Sequence, residues 1–125
     1  MKNKIKVMVI DDSNTIRRSA KLFLASAGYE VIEVEDGFDA LSKIMEELPD
    51  LVFIDVLMPN LDGLQTCQII KRNSMFKELP IIILSSKDGE FDKAKGLMMG
   101  ANDYLIKPFT KDSIIKVVKD YTEKK

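Results

Sequence analysis

The feature that most limits what this chain can fold into is a set of four short apolar runs, each stopped by a polar group. Leu51-Val52-Phe53-Ile54 ends in Asp55, and Val7-Met8-Val9-Ile10 ends in Asp11-Asp12. Ile81-Ile82-Ile83-Leu84 ends in Ser85-Ser86, and Tyr104-Leu105-Ile106 ends in Lys107-Pro108. Runs of this length, rich in β-branched and aromatic side chains, read as strands buried on both faces. In an open parallel sheet, ligands bind in the crevice beyond the carboxyl ends of the strands. If the four runs lie parallel, carboxylates, a hydroxyl and an ammonium converge on one edge.

The intervening segments read as helices. Ser13 can cap a first helix, on which Ile16, Ala20, Phe23, Leu24 and Ala27 form an amphipathic stripe, and Gly28 stops it. Val31, Ile32 and Val34 form a shorter, more polar strand suited to a sheet edge. Asp36-Gly37 opens a second helix with Ala40, Leu41, Ile44 and Leu48 inward, ended by Pro49. A third helix runs from about Gly63 to Arg72, with Leu64, Cys67 and either Ile70 or Ile69 inward. A fourth covers roughly residues 90–99, weakened by Gly96 and ended by Gly100. The last carries Ile114, Val117, Val118 and Tyr121 on one face. Five strand-helix units with short connections predict an α/β fold, a doubly wound parallel sheet of five strands with helices on both faces. A length of 125 residues fits one domain, so residues 1–125 are expected to form it without an output domain.

Composition then narrows the function. With 19 Lys and Arg against 20 Asp and Glu, the chain has no electrostatic footprint for nucleic acid or an anionic membrane. The absence of His excludes His-ligated zinc and His general bases. The single Cys67 allows no intramolecular disulfide and suits a reducing compartment. The first residues lack the apolar core of a signal peptide, and no stretch is long enough to span a bilayer. A cytoplasmic location is the expectation.

The converging groups suggest a chemistry. Two carboxylates ~4 Å apart repel by about 4 kcal/mol at an effective dielectric near 20, so Asp11, Asp12 and Asp55 call for a proton or a cation. Hard oxygen donors suit Mg²⁺, which favours phosphoryl partners. Lys107 adds a second positive charge and Ser85 a hydroxyl donor. A carboxylate among these groups can act as the nucleophile and become an aspartyl phosphate.

Asp11-Asp12, Asp55, Ser85 and Lys107-Pro108 together resemble the motif set of response-regulator receiver domains of two-component signalling, and the resemblance spans essentially the whole chain. It implies a flavodoxin-like sheet of strand order 2-1-3-4-5, the order of the chemotaxis receiver. It implies Asp55 as phosphoacceptor, with a sensor histidine kinase as phosphodonor. Mg²⁺ would be held by Asp12 and Asp55, by the backbone carbonyl of Leu57, and by Asp11 largely through water. Ser85 and Lys107 would contact the phosphoryl group, and the Lys107-Pro108 bond would be cis. Serine stands at position 85 where many members carry threonine. Ser85 and Tyr104 would form the switch. Lys93, Lys95, Tyr104 and Lys116 are candidate contacts for a downstream protein on the fourth helix, fifth strand and last helix. Finer segments are similar to receivers of twitching-motility, type IV pilus systems: Asp36-Gly37-Phe38-Asp39-Ala40-Leu41, Leu61-Asp62-Gly63 with Gln65-Thr66-Cys67, and Ser85-Ser86-Lys87-Asp88-Gly89 with Phe91-Asp92-Lys93-Ala94-Lys95-Gly96.

The expected function is therefore that of a phosphoacceptor signalling protein, not of an enzyme beyond its own phosphorylation and dephosphorylation. Two alternatives stand beside the output switch. A phosphorelay intermediate or phosphate sink needs the same residues. A Mg²⁺-dependent phosphohydrolase of small substrates commonly has a second Asp two places after the nucleophile and a substrate-selecting cap. Here that place holds Leu57, and no cap insertion is present.

Overall fold

The computed structural model describes residues 4–56, 61–86, 95, 97 and 99–123. In chain order the elements are β1 (Lys6–Ile10), α1 (Asn14–Ser26), β2 (Glu30–Val34), α2 (Gly37–Glu47) and β3 (Leu51–Asp55). They are followed by α3 (Gly63–Arg72), a 3₁₀ turn (Ser74–Phe76), β4 (Ile81–Ser86), β5 (Asp103–Lys107) and α4 (Lys111–Thr122). Most of the helix expected over residues 90–99 lies outside the described residues, Gly96 included; Lys95 and Leu97 are helical.

All five strands pair in parallel in the order β2-β1-β3-β4-β5, as the motif resemblance implies. Alternation along the strands builds two cores. Met8, Ile10, Val52, Ile54, Ile81 and Ile83 face α2 and α3, where Ala40, Ile44, Leu64, Cys67 and Ile70 meet them. Val7, Val9, Leu51, Phe53, Ile82 and Leu84 face α1 and α4, against Ala20, Leu24, Ile114 and Val118. The central strand β3 is buried along its whole length, which explains its unbroken apolar run. The edge strand β2 is mostly half-exposed, which explains its polar alternation.

Each described helix starts on a side chain that accepts an otherwise unpaired backbone N–H. Ser13 takes Ile16 N at 3.3 Å, and Asp36 takes Asp39 N at 2.9 Å. Asp62 with Gln65, and Thr110 with Ser113, form reciprocal capping boxes. Gly28, at φ 92°, ends α1 in the left-handed region that glycine enters without strain.

Two side-chain expectations are corrected, and one choice left open is resolved. Leu48 does not face the core: it follows the end of α2 in the left-handed region (φ 48°, ψ 62°), which swings its side chain out to 47% exposure. Ala27 is the exposed C-cap of α1 and not the last member of a buried stripe. Of the two isoleucines in α3, Ile70 is buried and Ile69 is exposed.

Candidate functional site

The site begins with strand parity. Val9, Phe53 and Leu105 belong to the core on the α1 and α4 side. Two residues further along each chain stand Asp11, Asp55 and Lys107, so the pleat sends all three toward the same side of the sheet at its carboxyl edge. The contacts bear this out. Lys107 Nζ donates to Asp55 Oδ1 at 2.9 Å and approaches Asp11 Oδ2 at 3.4 Å. The peptide bond after Lys107 is cis, as expected for Pro108.

Asp11 extends the ladder one step past β1, donating its N–H to the Val34 carbonyl at 3.1 Å. Its carboxylate is completely buried and accepts the Ser13 N–H at 2.9 Å. Asp12, next in the chain, is exposed. Oxygen atoms of Asp11, Asp12 and Asp55 all lie within 4.8 Å of one another. This is a donor set of hard carboxylate oxygens with one solvent-facing member, and its chemistry fits Mg²⁺.

The electrostatics are those of charge held out of water. Burial pushes the Asp11 carboxyl above its ordinary value, against the opposing pull of the Ser13 N–H and Lys107. Burial likewise raises Asp55, and the Asp11 charge adds to the effect that Lys107 opposes. For Lys107 burial acts downward, but the hydrogen bond to Asp55 and the charges of Asp55 and Asp11 outweigh it, and its ammonium is held above the ordinary range. One ammonium thus serves two buried carboxylates, and the surplus negative charge favours a further cation.

Ser85 is buried on β4, one residue along from Leu84, the register partner of Asp55. Its hydroxyl donates to the Ser86 carbonyl at 3.2 Å. Tyr104 stands on β5 with its side chain 38% exposed. Lys116 projects from α4 and pairs with Asp120 at 2.8 Å, one helical turn on. Lys95 is exposed. Leu57 and Lys93 lie outside the described residues.

Two residues have a supporting role that the motif reading does not give them, although Gly63 falls inside one of its segments. Gly63, the first residue of α3, rests against the Asp55 backbone: a Cβ there would stand 1.9 Å from the Asp55 carbonyl oxygen. Arg17 is buried within α1 and donates to the Asp11 carbonyl oxygen and to Asn14 Oδ1. Its guanidinium also lies 3.5 Å from Glu33 and 3.8 Å from Glu35. The signal for Arg17 was in the helical period, since positions 17, 20 and 24 are spaced i, i+3, i+7 and all three are buried.

Comparison with known proteins agrees with this arrangement. Residues 7–119 match the response regulator receiver domain family. The chain is 56% identical over 115 residues to the protein PilG of Pseudomonas aeruginosa, covering 92% of this chain and 85% of that protein. A response regulator from Chloroflexus aurantiacus superposes with a TM-score of 0.94 at 34% identity, over 98% of this chain and 100% of its own. The chemotaxis protein CheY4 of Vibrio cholerae superposes with a TM-score of 0.89 at 32% identity, over 94% of this chain and 98% of its own. With its five-stranded parallel sheet and its acidic cluster at the carboxyl edge, the chain belongs to the response regulator receiver domains.

Proposed function

We propose that this receiver accepts a phosphoryl group on Asp55 in a Mg²⁺-dependent reaction and thereby switches a protein-binding face. The observation that carries the reading is the single Lys107 ammonium shared by two buried carboxylates, Asp55 at 2.9 Å and Asp11 at 3.4 Å, with Asp12 beside them. An Asp55 carboxylate oxygen forms the new P–O bond as the bond from phosphorus to the donor's leaving group breaks, and that group departs with the electron pair. Lys107 is within reach of the oxygens on which charge accumulates. Asp11, Asp12 and Asp55 would hold the Mg²⁺, which when bound offsets the carboxylate charge and that of the incoming phosphoryl group. Self-catalysed transfer and hydrolysis would be the full extent of its chemistry.

Membership in the receiver family supports a sensor histidine kinase as donor and a downstream protein as target. Tyr104 and the exposed Lys95 and Lys116 are the proposed contacts of that target. The segments similar to twitching-motility receivers, with the 56% identity to PilG, support a motility pathway. Buried, unpaired Cys67 is compatible with work in the cytoplasm. Among the described residues no helix is long and apolar enough to cross a membrane.

The decisive experiment is mass spectrometry after incubation with acetyl phosphate and Mg²⁺. One phosphoryl group, labile to hydroxylamine, is expected on Asp55, and none at that position in Asp55→Asn. Full modification of the Asp55→Asn protein would remove Asp55 as the acceptor.

A further inference from the structure

A buried arginine is rare unless its donors are met, and Arg17 meets its own in an unusual way. One guanidinium nitrogen donates to the main-chain carbonyl of Asp11, and another to the side chain of Asn14 on the first turn of α1. Glu33 on β2, at 3.5 Å, and Glu35 just beyond it, at 3.8 Å, supply the counter-charge. Lys21, one turn further along α1, reaches Glu33 as well, at 3.7 Å. The planar fork therefore ties three things together: the end of β1 where the carboxylates begin, the start of α1, and the far edge of the sheet at β2. The Asp11 carboxylate is fixed from the other side by the Ser13 N–H and by Lys107. Burial, Ser13, Lys107 and Asp12 govern its charge. Arg17 meets Asp11 at the backbone, and its leverage is on position.

We propose that Arg17 is a positioning residue for the Asp11-Asp12 pair: by gripping the Asp11 carbonyl it sets the spacing of the carboxylates and hence the affinity of the site for a divalent cation that Arg17 itself never touches. This rests on the reading of the cluster as a Mg²⁺ site. Lysine cannot replace the fork, because a point ammonium lacks the planar pair of donors that spans Asp11 and Asn14. Residues that orient metal ligands commonly cost about 10–100-fold in affinity when lost.

The test is the Mg²⁺ dependence of phosphorylation by acetyl phosphate in the full chain, with direct Mg²⁺ titration by calorimetry alongside. Arg17→Lys should raise the half-saturating Mg²⁺ concentration about tenfold or more, and saturating Mg²⁺ should restore most of the parent rate. A residue that merely holds the fold together would lower the melting temperature and leave the midpoint in place. Asn14→Ala keeps Arg17 but removes one of its acceptors, and should move the midpoint in the same direction by less; it carries the test if Arg17→Lys does not fold. An unshifted midpoint in folded Arg17→Lys, or in Asn14→Ala where that is the one that folds, overturns the proposal while leaving the Mg²⁺ site intact. Failure of the parent itself to bind Mg²⁺ overturns the site reading and the proposal with it.

Discussion

Gly63 has no side chain because the carbonyl oxygen of Asp55 occupies the place where one would be. A Cβ on Gly63 would lie 1.9 Å from that oxygen and 2.8 Å from the carbonyl carbon, and both belong to backbone that cannot rotate aside. The Gly63 N–H donates to the Val56 carbonyl at 3.0 Å, so α3 is seated directly on the strand end that presents the Asp55 carboxylate.

Gly63→Ala should therefore act on stability and on chemistry together. Overpacking of this kind costs about 1–3 kcal/mol, and more where the neighbour is main chain. Urea unfolding should show a loss of at least that size, and acetyl phosphate labelling of Asp55 should slow in the fraction that remains folded. A folded variant of parental stability and labelling rate would mean that α3 can shift without disturbing Asp55.

The pH dependence of the metal-free protein has a definite sign. Asp11 and Asp55 are raised above their ordinary value of 3.8, mainly by burial, so the folded chain holds their protons more tightly than the unfolded chain does. The stability they contribute is complete below that value and is lost as pH climbs through their raised values. Asp55→Asn keeps an acceptor for Lys107 and removes one charge. It should flatten the decline between acid and neutral pH and raise the metal-free melting temperature at pH 7. About 1 kcal/mol moves a domain of around 100 residues by roughly 4–8 °C. Thermal melts from pH 4 to 8 check this, and a steeper decline in the variant would contradict it.

Removing the shared ammonium should have the opposite effect. Lys107 is held protonated above its ordinary 10.5 by Asp55 and Asp11, so what it adds is present across the whole neutral range. Lys107→Met leaves two buried carboxylates without their cation. Breaking such a buried arrangement costs about 3–5 kcal/mol. Saturating Mg²⁺ should recover more stability in this variant than in the parent. An equal Mg²⁺ increment in both, read by calorimetry or thermal melts, would show that Lys107 and the metal do not compensate the same charge.

Coupling to the output face is tested at Ser85. A phosphoryl oxygen on Asp55 offers its hydroxyl a charged acceptor, a bond worth roughly 1.5–3 kcal/mol, in place of the neutral Ser86 carbonyl, a bond worth about 0.5–1.5 kcal/mol. Ser85→Ala should leave Asp55 open to modification yet reduce the amide chemical-shift changes around Tyr104 when beryllofluoride and Mg²⁺ are added. Undiminished shifts at equal occupancy would take Ser85 out of the coupling.

How far the sequence could be read depended on the kind of force involved. The strands and their carboxyl-edge groups were legible, because an unbroken apolar run and its polar stop are local signals. So were the caps at Ser13 and Asp36, and the end of α1 at Gly28. Leu48 was misread because an apolar residue at the right period looks inward until the backbone turns left-handed beneath it. Arg17 was missed because the counter-charge that lets a cation be buried, Glu33 on β2, is not its neighbour in sequence. The demand on Gly63 was equally hidden, since nothing in its own surroundings reveals that Asp55 lies against it.

The two-residue step that carries Val9 to Asp11, Phe53 to Asp55 and Leu105 to Lys107 also limits how this protein can change over time. Loss or gain of one residue inside β1, β3 or β5 would turn the terminal group to the opposite side of the sheet while leaving an apolar run that still folds. Point substitutions in those strands can be absorbed one at a time, but their lengths cannot drift separately. Insertions should instead accumulate at the amino edge, where α2 hands over to β3 and the 3₁₀ turn hands over to β4. A library of single-residue deletions scored separately for folding and for Asp55 labelling would draw that boundary: strand deletions should yield folded but unlabelled proteins, and amino-edge deletions should yield both properties or neither.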